Sequence, residues 1–474
     1  MGLRVPTSRR GLIERSGTLS QMRGRKGFRR STIVGALVCA SLAPVAQADP
    51  PVEQPGLPPE AGTAVASSNV EFLANFPQIT AIGARIKGDY LYSTGVDGLS
   101  IYNIALTGLP ILQGRLPLPH WENEDVDTNG KLLLISADHL AGSTIGDAAG
   151  TVVEPAEDEF DILYVIDVGI PQAPVLLARL PVPMAHTVSC VLNCQFAWLA
   201  GDSGIAVVDL RVPSKPTYLG TYYGTPAGRT HDVQVDAKGI AWVSGSGGVW
   251  GHKPNAQAPM NPTLLSGSSQ FDNDFIIHNS LRPDAKSWAP ATSWSTPVKR
   301  SELIYVTEED YQPQGNGSCA QDGSFQIGSY RQVGSSYRTQ VMSRWNLGKG
   351  TSGDLTGSKK GDVAAFCSSH YFDVKGDVAA VGWYEQGVRF LSVKDPYKIR
   401  QVGYWRPLDS TAWSAQFVGG YVYVIDLTRG LDVLRFNGTG SSGTVKASGI
   451  DPVRRTQPSA QWGLACRIPV ALPE

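Results

Sequence analysis

Three things are scarce in this sequence: charge, cysteine and long apolar runs. Charged residues make up 18% of the 474 positions, and there are only six cysteines. After the N-terminal region no apolar run reaches the roughly 18 residues of a membrane helix, which argues against a transmembrane segment there. Walker, HExxH and dinucleotide fingerprints, and a GxSxG in a strand-turn-helix context, are also missing, so the common nucleotide-binding and hydrolase motifs do not apply.

Glycine and proline, by contrast, are abundant. The 52 glycines and 32 prolines are spread among Val, Ile, Tyr and Trp rather than clustered. Dispersed turn residues between short β-forming runs are typical of all-β proteins. A chain of this length can bury a large core, either as one large all-β domain or as two smaller ones.

The N-terminus has the pattern of an export signal. A basic segment (23–30) precedes the apolar run TIVGALVCASLAPVA, which ends close to Ala46-Gln47-Ala48. We expect residues 1–48 to be a signal peptide for the Sec or the twin-arginine route, and the protein to be secreted or periplasmic. Without them, 32 basic and 41 acidic residues remain, a net charge of about −9, which argues against nucleic-acid binding.

A strand motif recurs along the chain, as GLSIYNI, GIAVVDL, GVRFLSV and GLDVLRF. Short strands precede each copy, and a Pro-marked loop with a further strand follows several of them. Four strands in about 43–47 residues predict β-propeller blades. We therefore predict an all-β fold, a seven-bladed β-propeller of four-stranded antiparallel blades, with Gly/Ser-rich insertions near 139–160, 312–330 and 350–362. Its inner strands begin near Ile82, His120, His186, His231, His278, His370 and Trp413.

Ring closure is predicted from the two ends of the repeat region. Blade seven has three clear strands and then fades into NGTGSSG, whereas NVEFLANFP (69–77) resembles the strands that end other blades. An N-terminal strand should therefore complete the last blade and hide two sheet edges. The expected boundaries are a linker (49–68), the propeller (69–438) and a C-terminal tail (439–474).

Histidines recur at the start of the inner strands. His186, His231, His278 and His370 open successive inner strands, and His120 opens the inner strand of blade two. Because strands alternate in direction, all these positions lie at one mouth of the channel. Imidazoles with a carboxylate suit Zn, Cu, Fe or Mn, so the pattern predicts a metal site. The alternative is that these histidines only hydrogen-bond the neighbouring backbone.

Carboxylates compete for the same mouth. Glu122 or Glu124 would complete the ligand set, while Glu309 and Glu385 would transfer protons in an enzyme. The loops that ring this mouth add Asp202, Glu308, Asp426 and Arg429 as rim residues. His139 and His252 fall outside the repeat register and are expected at the surface.

Five cysteines follow residue 48. Cys190 and Cys194 flank a hairpin, which favours a disulfide over a metal-thiolate pair. Cys319 and Cys367 belong to the histidine face and are expected to form a second disulfide, with a thiolate ligand or a redox role as the alternative. Cys466, in the tail, is expected to be unpaired.

The phrases DILYVIDV, GIAVVDLRVPSKP, EQGVRFLSVKDPYKIRQVGYW and YVYVIDLTRGLDVLR resemble the bacterial LVIVD-repeat proteins over roughly 70–438. More remotely, a histidine-lined propeller resembles the selenium-binding protein and methanethiol oxidase group. That resemblance implies a copper-dependent oxidase, so copper is favoured over iron, zinc or manganese, but it implies no particular residues.

Three functions follow from these patterns. The first is a metal-dependent oxidoreductase acting on a small-molecule substrate. The second is a non-catalytic secreted or cell-envelope module that binds an envelope protein, since propeller faces are common binding platforms. The third is a metal-free hydrolase or lyase that uses histidine–carboxylate pairs in the same channel. We expect a monomer in each case.

Overall fold

The computed structural model describes residues 64–77, 82–95, 98–118, 125–138, 145–146, 152–153, 161–273, 275–310, 323–347, 368–384, 386–407, 410–438 and 447–450. Within these ranges the regular secondary structure is β-strand, apart from two single-turn 3-10 helices at Ala285–Ser287 and Arg300–Glu302. No helix among them has the length and apolarity that crossing a bilayer requires.

Seven four-stranded antiparallel blades form the ring, as predicted. Two strands precede the first complete blade: β1 (Ala64–Ser67) and β2 (Val70–Phe76). Blade one contains β3 (Gly83–Lys87), β4 (Tyr90–Gly95), β5 (Gly98–Asn103) and β6 (Ile111–Leu116). Blade two contains β7 (Val126–Thr128), β8 (Leu132–Ala137), β11 (Asp161–Asp167) and β12 (Val175–Val182), with a small separate hairpin of β9 (Ile145–Gly146) and β10 (Val152–Val153).

The next three blades follow the same order. Blade three contains β13 (Thr187–Val191), β14 (Phe196–Ala200), β15 (Ile205–Asp209) and β16 (Thr217–Tyr222). Blade four contains β17 (Thr230–Val235), β18 (Ala241–Gly245), β19 (Gly248–Lys253) and β20 (Thr263–Ser268). Blade five contains β21 (Ile276–Leu281), β22 (Leu303–Glu309), β23 (Ser324–Val333) and β24 (Ser336–Trp345).

The last two blades include additional segments. Blade six contains β25 (Phe372–Lys375), β26 (Val378–Gly382), β27 (Val388–Ser392) and β28 (Arg400–Arg406). Blade seven contains β29 (Ala412–Val418), β30 (Tyr421–Asp426) and β31 (Gly430–Phe436), and β2 pairs antiparallel with β31 as its fourth strand. The prediction of closure by an N-terminal strand is confirmed.

Blade six continues beyond four strands. Strand β1 pairs with β28, and β32 (Ala447–Ile450) pairs with β1, which gives six strands in this sheet. The repeat pattern predicts neither addition, because both lie in segments that we expected to be linker or tail. The insertion expected near 312–330 also ends earlier than predicted, because β23 begins at Ser324.

The glycine that opens the repeated motif has a steric cause. Gly98, Gly204, Gly387 and Gly430 have φ values of +103°, +88°, +69° and +83° where the second strand turns into the third. Residues with a Cβ rarely adopt such positive φ values, whereas glycine adopts them without a steric penalty. The glycine thus sets the tight turn of the blade.

Aromatic side chains fill the spaces between blades. Trp198, Trp242, Trp383 and Tyr423 are each at most 2% exposed. Trp198 packs with residues of blades three and four, and Trp383 with residues of blades five and six. The interpretation of these aromatics as inter-blade core is confirmed, and their burial provides a large part of the hydrophobic stabilisation.

Phe72 allows a test of how much the closing strand β2 stabilises the ring. Its ring stacks on Trp405 of blade six, with centroids 5.0 Å apart. We predict that Phe72→Ala lowers the free energy of unfolding by about 2 kcal/mol, less than a fully buried phenylalanine costs because Phe72 is half-buried. Chemical denaturation measures this. Leu106→Ala, at a side chain 86% exposed, is the matched control, and equal effects of the two changes would contradict the role of β2.

Candidate metal centre

Four of the predicted histidines form a row at the inner strands of blades three to six. The ring centroids lie 4.6 Å apart from His186 to His231, 4.2 Å from His231 to His278, and 3.8 Å from His278 to His370. The row ends on Trp413, which holds the same position in blade seven, 4.1 Å from His370. His278 and His370 are fully buried.

Two histidines of this row hydrogen-bond the backbone of the next blade. His231 Nδ1 lies 3.0 Å from the carbonyl oxygen of His278, and His370 Nδ1 lies 2.9 Å from that of Trp413. A carbonyl can only accept a hydrogen bond, so both Nδ1 atoms carry the proton. In the neutral ring, Nε2 then carries the lone pair that a metal ion uses.

His186 is oriented by a carboxylate. Its Nδ1 lies 2.8 Å from Asp138 Oδ2, which again assigns the proton to Nδ1. Its Nε2 lies 3.0 Å from the Nε2 of His231. If both rings are neutral, two lone pairs face each other at this distance. A proton on one ring, or a cation bound by both, removes the repulsion.

Glu309 brings a carboxylate to the row. It is the last residue of β22 and is 3% exposed. One potential ligand atom from each of His231, His278 and Glu309 lies within 4.8 Å of the others. Glu309 Oε1 is 3.8 Å from His370 Nε2 and accepts a hydrogen bond from the Tyr384 hydroxyl. A buried carboxylate needs such partners, because an isolated charge is costly in a low-dielectric site.

Tyr384 is a site residue that sequence reasoning missed. It is buried and has a φ of +42°, which is unusual for a residue with a side chain. Backbone hydrogen bonds in both directions with Ala412 of blade seven hold it. The sequence pattern places its loop, WYEQG, at the histidine mouth, but only the folded chain shows the tyrosine bonded to Glu309. Strained residues of this kind cluster at functional sites.

The remaining predicted site residues divide into two groups. His120, Glu122, Glu124, Glu385, Cys319 and Cys367 lie outside the described residues, as do His139 and Cys466. Among the rim candidates, Asp202 is exposed, whereas Glu308 is buried and accepts a hydrogen bond from Ser324.

Asp426 and Arg429 are not rim residues. Both are at most 2% exposed. Asp426 accepts hydrogen bonds from Ser410 and from the backbone of the turn that follows it, and Arg429 forms an ion pair with Asp432 at 2.9 Å. Burial raises the pKa of Asp426 above its usual value. The expectation is corrected: these groups hold the turn between β30 and β31 together.

Cys190 and Cys194 form a disulfide, with Cα atoms 4.3 Å apart. The loop between them is tight, because Leu192, Asn193 and Cys194 all have positive φ values near +55°. Two cysteines joined in a disulfide have no free thiolate, so this pairing agrees with the predicted disulfide and not with the metal-thiolate alternative.

The expectation for His252 is wrong. It is completely buried, in edge contact with Trp198 and Tyr222, and its Nδ1 lies 3.1 Å from the Trp250 carbonyl. Burial lowers its pKa from 6.5 to about 4, against the small opposing effect of that carbonyl. The repeat register could not reveal this, because His252 packs between blades from the third strand rather than from the inner one.

Comparisons with known proteins show the fold alone. No family model matches the chain, and no curated protein matches it. A protein of known structure from Lactobacillus plantarum has 8% identity and a TM-score of 0.51, over 82% of this chain and 95% of that chain. The β-propeller domain of Cps50 (Swd1) from Myceliophteria thermophila has 10% identity and a TM-score of 0.46, over 77% of this chain and 99% of that chain.

The buried His252 predicts a pH effect on stability. Its pKa is depressed in the folded state, so the unfolded chain binds the proton more readily and stability falls as pH drops from 6.5 towards about 4. Between about pH 7 and pH 4.5 this amounts to roughly 2–3 kcal/mol. We expect the loss of unfolding free energy over this interval to be smaller in His252→Gln than in the wild type. Equal losses would contradict the assignment.

Proposed function

We propose that this protein is an exported propeller that binds one transition metal ion through His186, His231, His278 and Glu309, and uses it as an oxidoreductase on a small substrate. Three neutral nitrogen donors and one carboxylate match the ligands that such ions prefer. Three of the four side chains are buried, and His186 is 11% exposed beside the more exposed Asp138, so access to the ion would be from that side.

One observation carries the proposal: the 3.0 Å contact between the Nε2 atoms of His186 and His231. The other nitrogen of each ring is held by an acceptor, as in metal sites where a second partner sets the tautomer. The competing explanation is a proton shared by the two rings, with His186 as an imidazolium beside Asp138. Metal analysis separates the two.

Copper is the metal that this arrangement favours. It heads the stability order for divalent ions at nitrogen sites. His186, His231, His278 and Glu309 would hold the ion, and a set of nitrogen donors with one carboxylate would suit copper(II). Iron, zinc and manganese remain the alternatives.

Within the proposed chemistry, a bound ion would polarise a small substrate or oxygen. Glu309 would hold the ion through one oxygen and could accept or return a proton through the other, while the hydrogen bond from Tyr384 orients the carboxylate. Glu385 keeps the same role as a prediction. We also propose that the signal at 1–48 directs export. We further propose that the chain is a member of the LVIVD-repeat proteins and is remotely similar to the selenium-binding group.

The central test is metal content. We expect the mature chain, exported from its host and purified without chelator or a histidine tag, to contain about one equivalent of metal. His231→Gln and Glu309→Gln should each lose most of it, because each removes one donor of a buried set. Elemental analysis and circular dichroism together measure retention and folding.

His252→Gln is the matched control, because it replaces an equally buried histidine outside the row. It should keep its metal. A folded wild type without metal that takes up none on titration would contradict the site. Turnover that survives chelation would instead favour the metal-free hydrolase or lyase.

Tyr384 provides a finer test. Tyr384→Phe removes the hydroxyl that donates to Glu309 and leaves the ring in place. Loss of such an outer partner typically weakens metal affinity by about 10–100-fold. We expect this weakening in competition titrations against a chelator, with Tyr404→Phe, a buried tyrosine outside the row, as the control. Unchanged metal affinity in Tyr384→Phe would contradict the role of Glu309 as a metal ligand held by Tyr384.

A second candidate function has its own observation. Leu106, Ile170 and Val212 each lie three residues after the third strand of blades one, two and three, and are 86%, 64% and 56% exposed. Repeated exposed apolar groups suit a protein partner. An envelope interaction module would bury these three side chains against its partner and would not need the metal.

A further inference from the structure

A cavity of about 370 Å³ lies in the channel next to the histidine row. Its wall comes mainly from inner strands β3, β29 and the segment Tyr371–Asp373. Tyr371 and Trp413 line this wall and contact the row, since their rings lie 4.5 Å from His278 and 4.1 Å from His370. The volume suits a small molecule.

The cavity has more negative than positive groups. Its lining contains Asp125, Asp373 and a single cation, Arg85. Arg85 is already engaged, 3.6 Å from Asp125 and 3.3 Å from Asp127. Asp232 lies close enough to interact electrostatically with both Arg85 and Asp125. Asp373 also interacts electrostatically with Arg85, so four carboxylates share one guanidinium.

Burial makes two of these carboxylates costly to ionise. Burial raises the pKa of Asp232, and the charge on Asp125 raises it further. Burial also raises the pKa of Asp373, although two backbone N–H groups and the cations Arg85 and Lys375 oppose this. An additional cation in the cavity would stabilise the ionised forms.

The aromatic side chains of the wall also favour a cationic ligand. Tyr371, Trp413 and Phe417 line the cavity, and aromatic faces attract cations. The indole N–H of Trp413 is buried and has no hydrogen-bond partner among the described residues. A ligand that carries an acceptor atom beside its positive group would satisfy this donor.

We propose that this cavity binds a small molecule with a protonated amino group and a neighbouring hydroxyl. The ammonium would lie among Asp125, Asp373 and the faces of Tyr371 and Trp413. The inference concerns a different set of side chains from the metal donors and does not require the metal.

Three probes of one size test the charge preference. We expect 3-aminopropan-1-ol, protonated at neutral pH, to bind the full chain at least tenfold more tightly than propane-1,3-diol, and 3-hydroxypropanoate not to bind. Calorimetry or ligand-observed NMR measures this at low salt. Equal binding of the amine and the diol, or no binding of the amine, would overturn the proposal.

Two variants should change the affinity in opposite directions. Asp373→Asn removes a negative charge and should weaken amine binding roughly tenfold, whereas Arg85→Gln removes the competing cation and should strengthen it several-fold. A destabilised fold cannot produce tighter binding, so Arg85→Gln guards against misfolding. Asp395→Asn, an equal charge change at an exposed loop, should have no effect. Weaker binding in a folded Arg85→Gln would contradict the electrostatic argument.

The metal proposal can be wrong while the amine-binding proposal is right. Amine binding should persist in chelator-treated protein and in His231→Gln. If it is lost in both, while the wild-type protein binds the amine, the cavity depends on the metal and the independent site is disproved.

Discussion

The hydrogen bond from one blade to the carbonyl that opens the next inner strand is the constraint on which the rest depends. Ser136 donates to the His186 carbonyl, Thr187 to that of His231, His231 to that of His278, and His370 to that of Trp413. Buried carbonyls must find donors, and these side chains provide them at the most crowded part of the ring. Two of the donors are histidines, so the same bond that joins blades also fixes their tautomers.

That constraint explains why a row of histidines becomes a candidate site. With Nδ1 held by the backbone, the rings of His231 and His370 cannot rotate freely, and their Nε2 atoms are directed away from the acceptor. Asp138 holds His186 in the same way from the outer end, while Glu309 approaches from β22. Preorganised donors of this kind cost little further ordering when an ion binds.

The two proposed sites share a boundary. Tyr371 and Trp413 separate the histidine row from the acidic cavity and contact both. The histidine row offers nitrogen donors, and the neighbouring cavity offers carboxylates around Arg85. A molecule held by its amino group in the cavity would lie next to the histidine row, which gives the oxidoreductase proposal a place for a substrate.

The sequence by itself determined the seven blades and the closing strand, because alternation of apolar residues, turn glycines and the repeat length are local signals. It also placed four histidines, His186, His231, His278 and His370, at equivalent positions, whereas the inner strand of blade two begins at Val126 rather than near His120 as predicted. Only the tertiary structure decided which carboxylate joins them: Glu309 and Tyr384 come from different blades, and Asp426 and Arg429, similar in sequence context, turn inward to stabilise a turn. It likewise buried His252 and added β1 and β32 to blade six. These outcomes depend on packing between segments far apart in the chain, which no local pattern encodes.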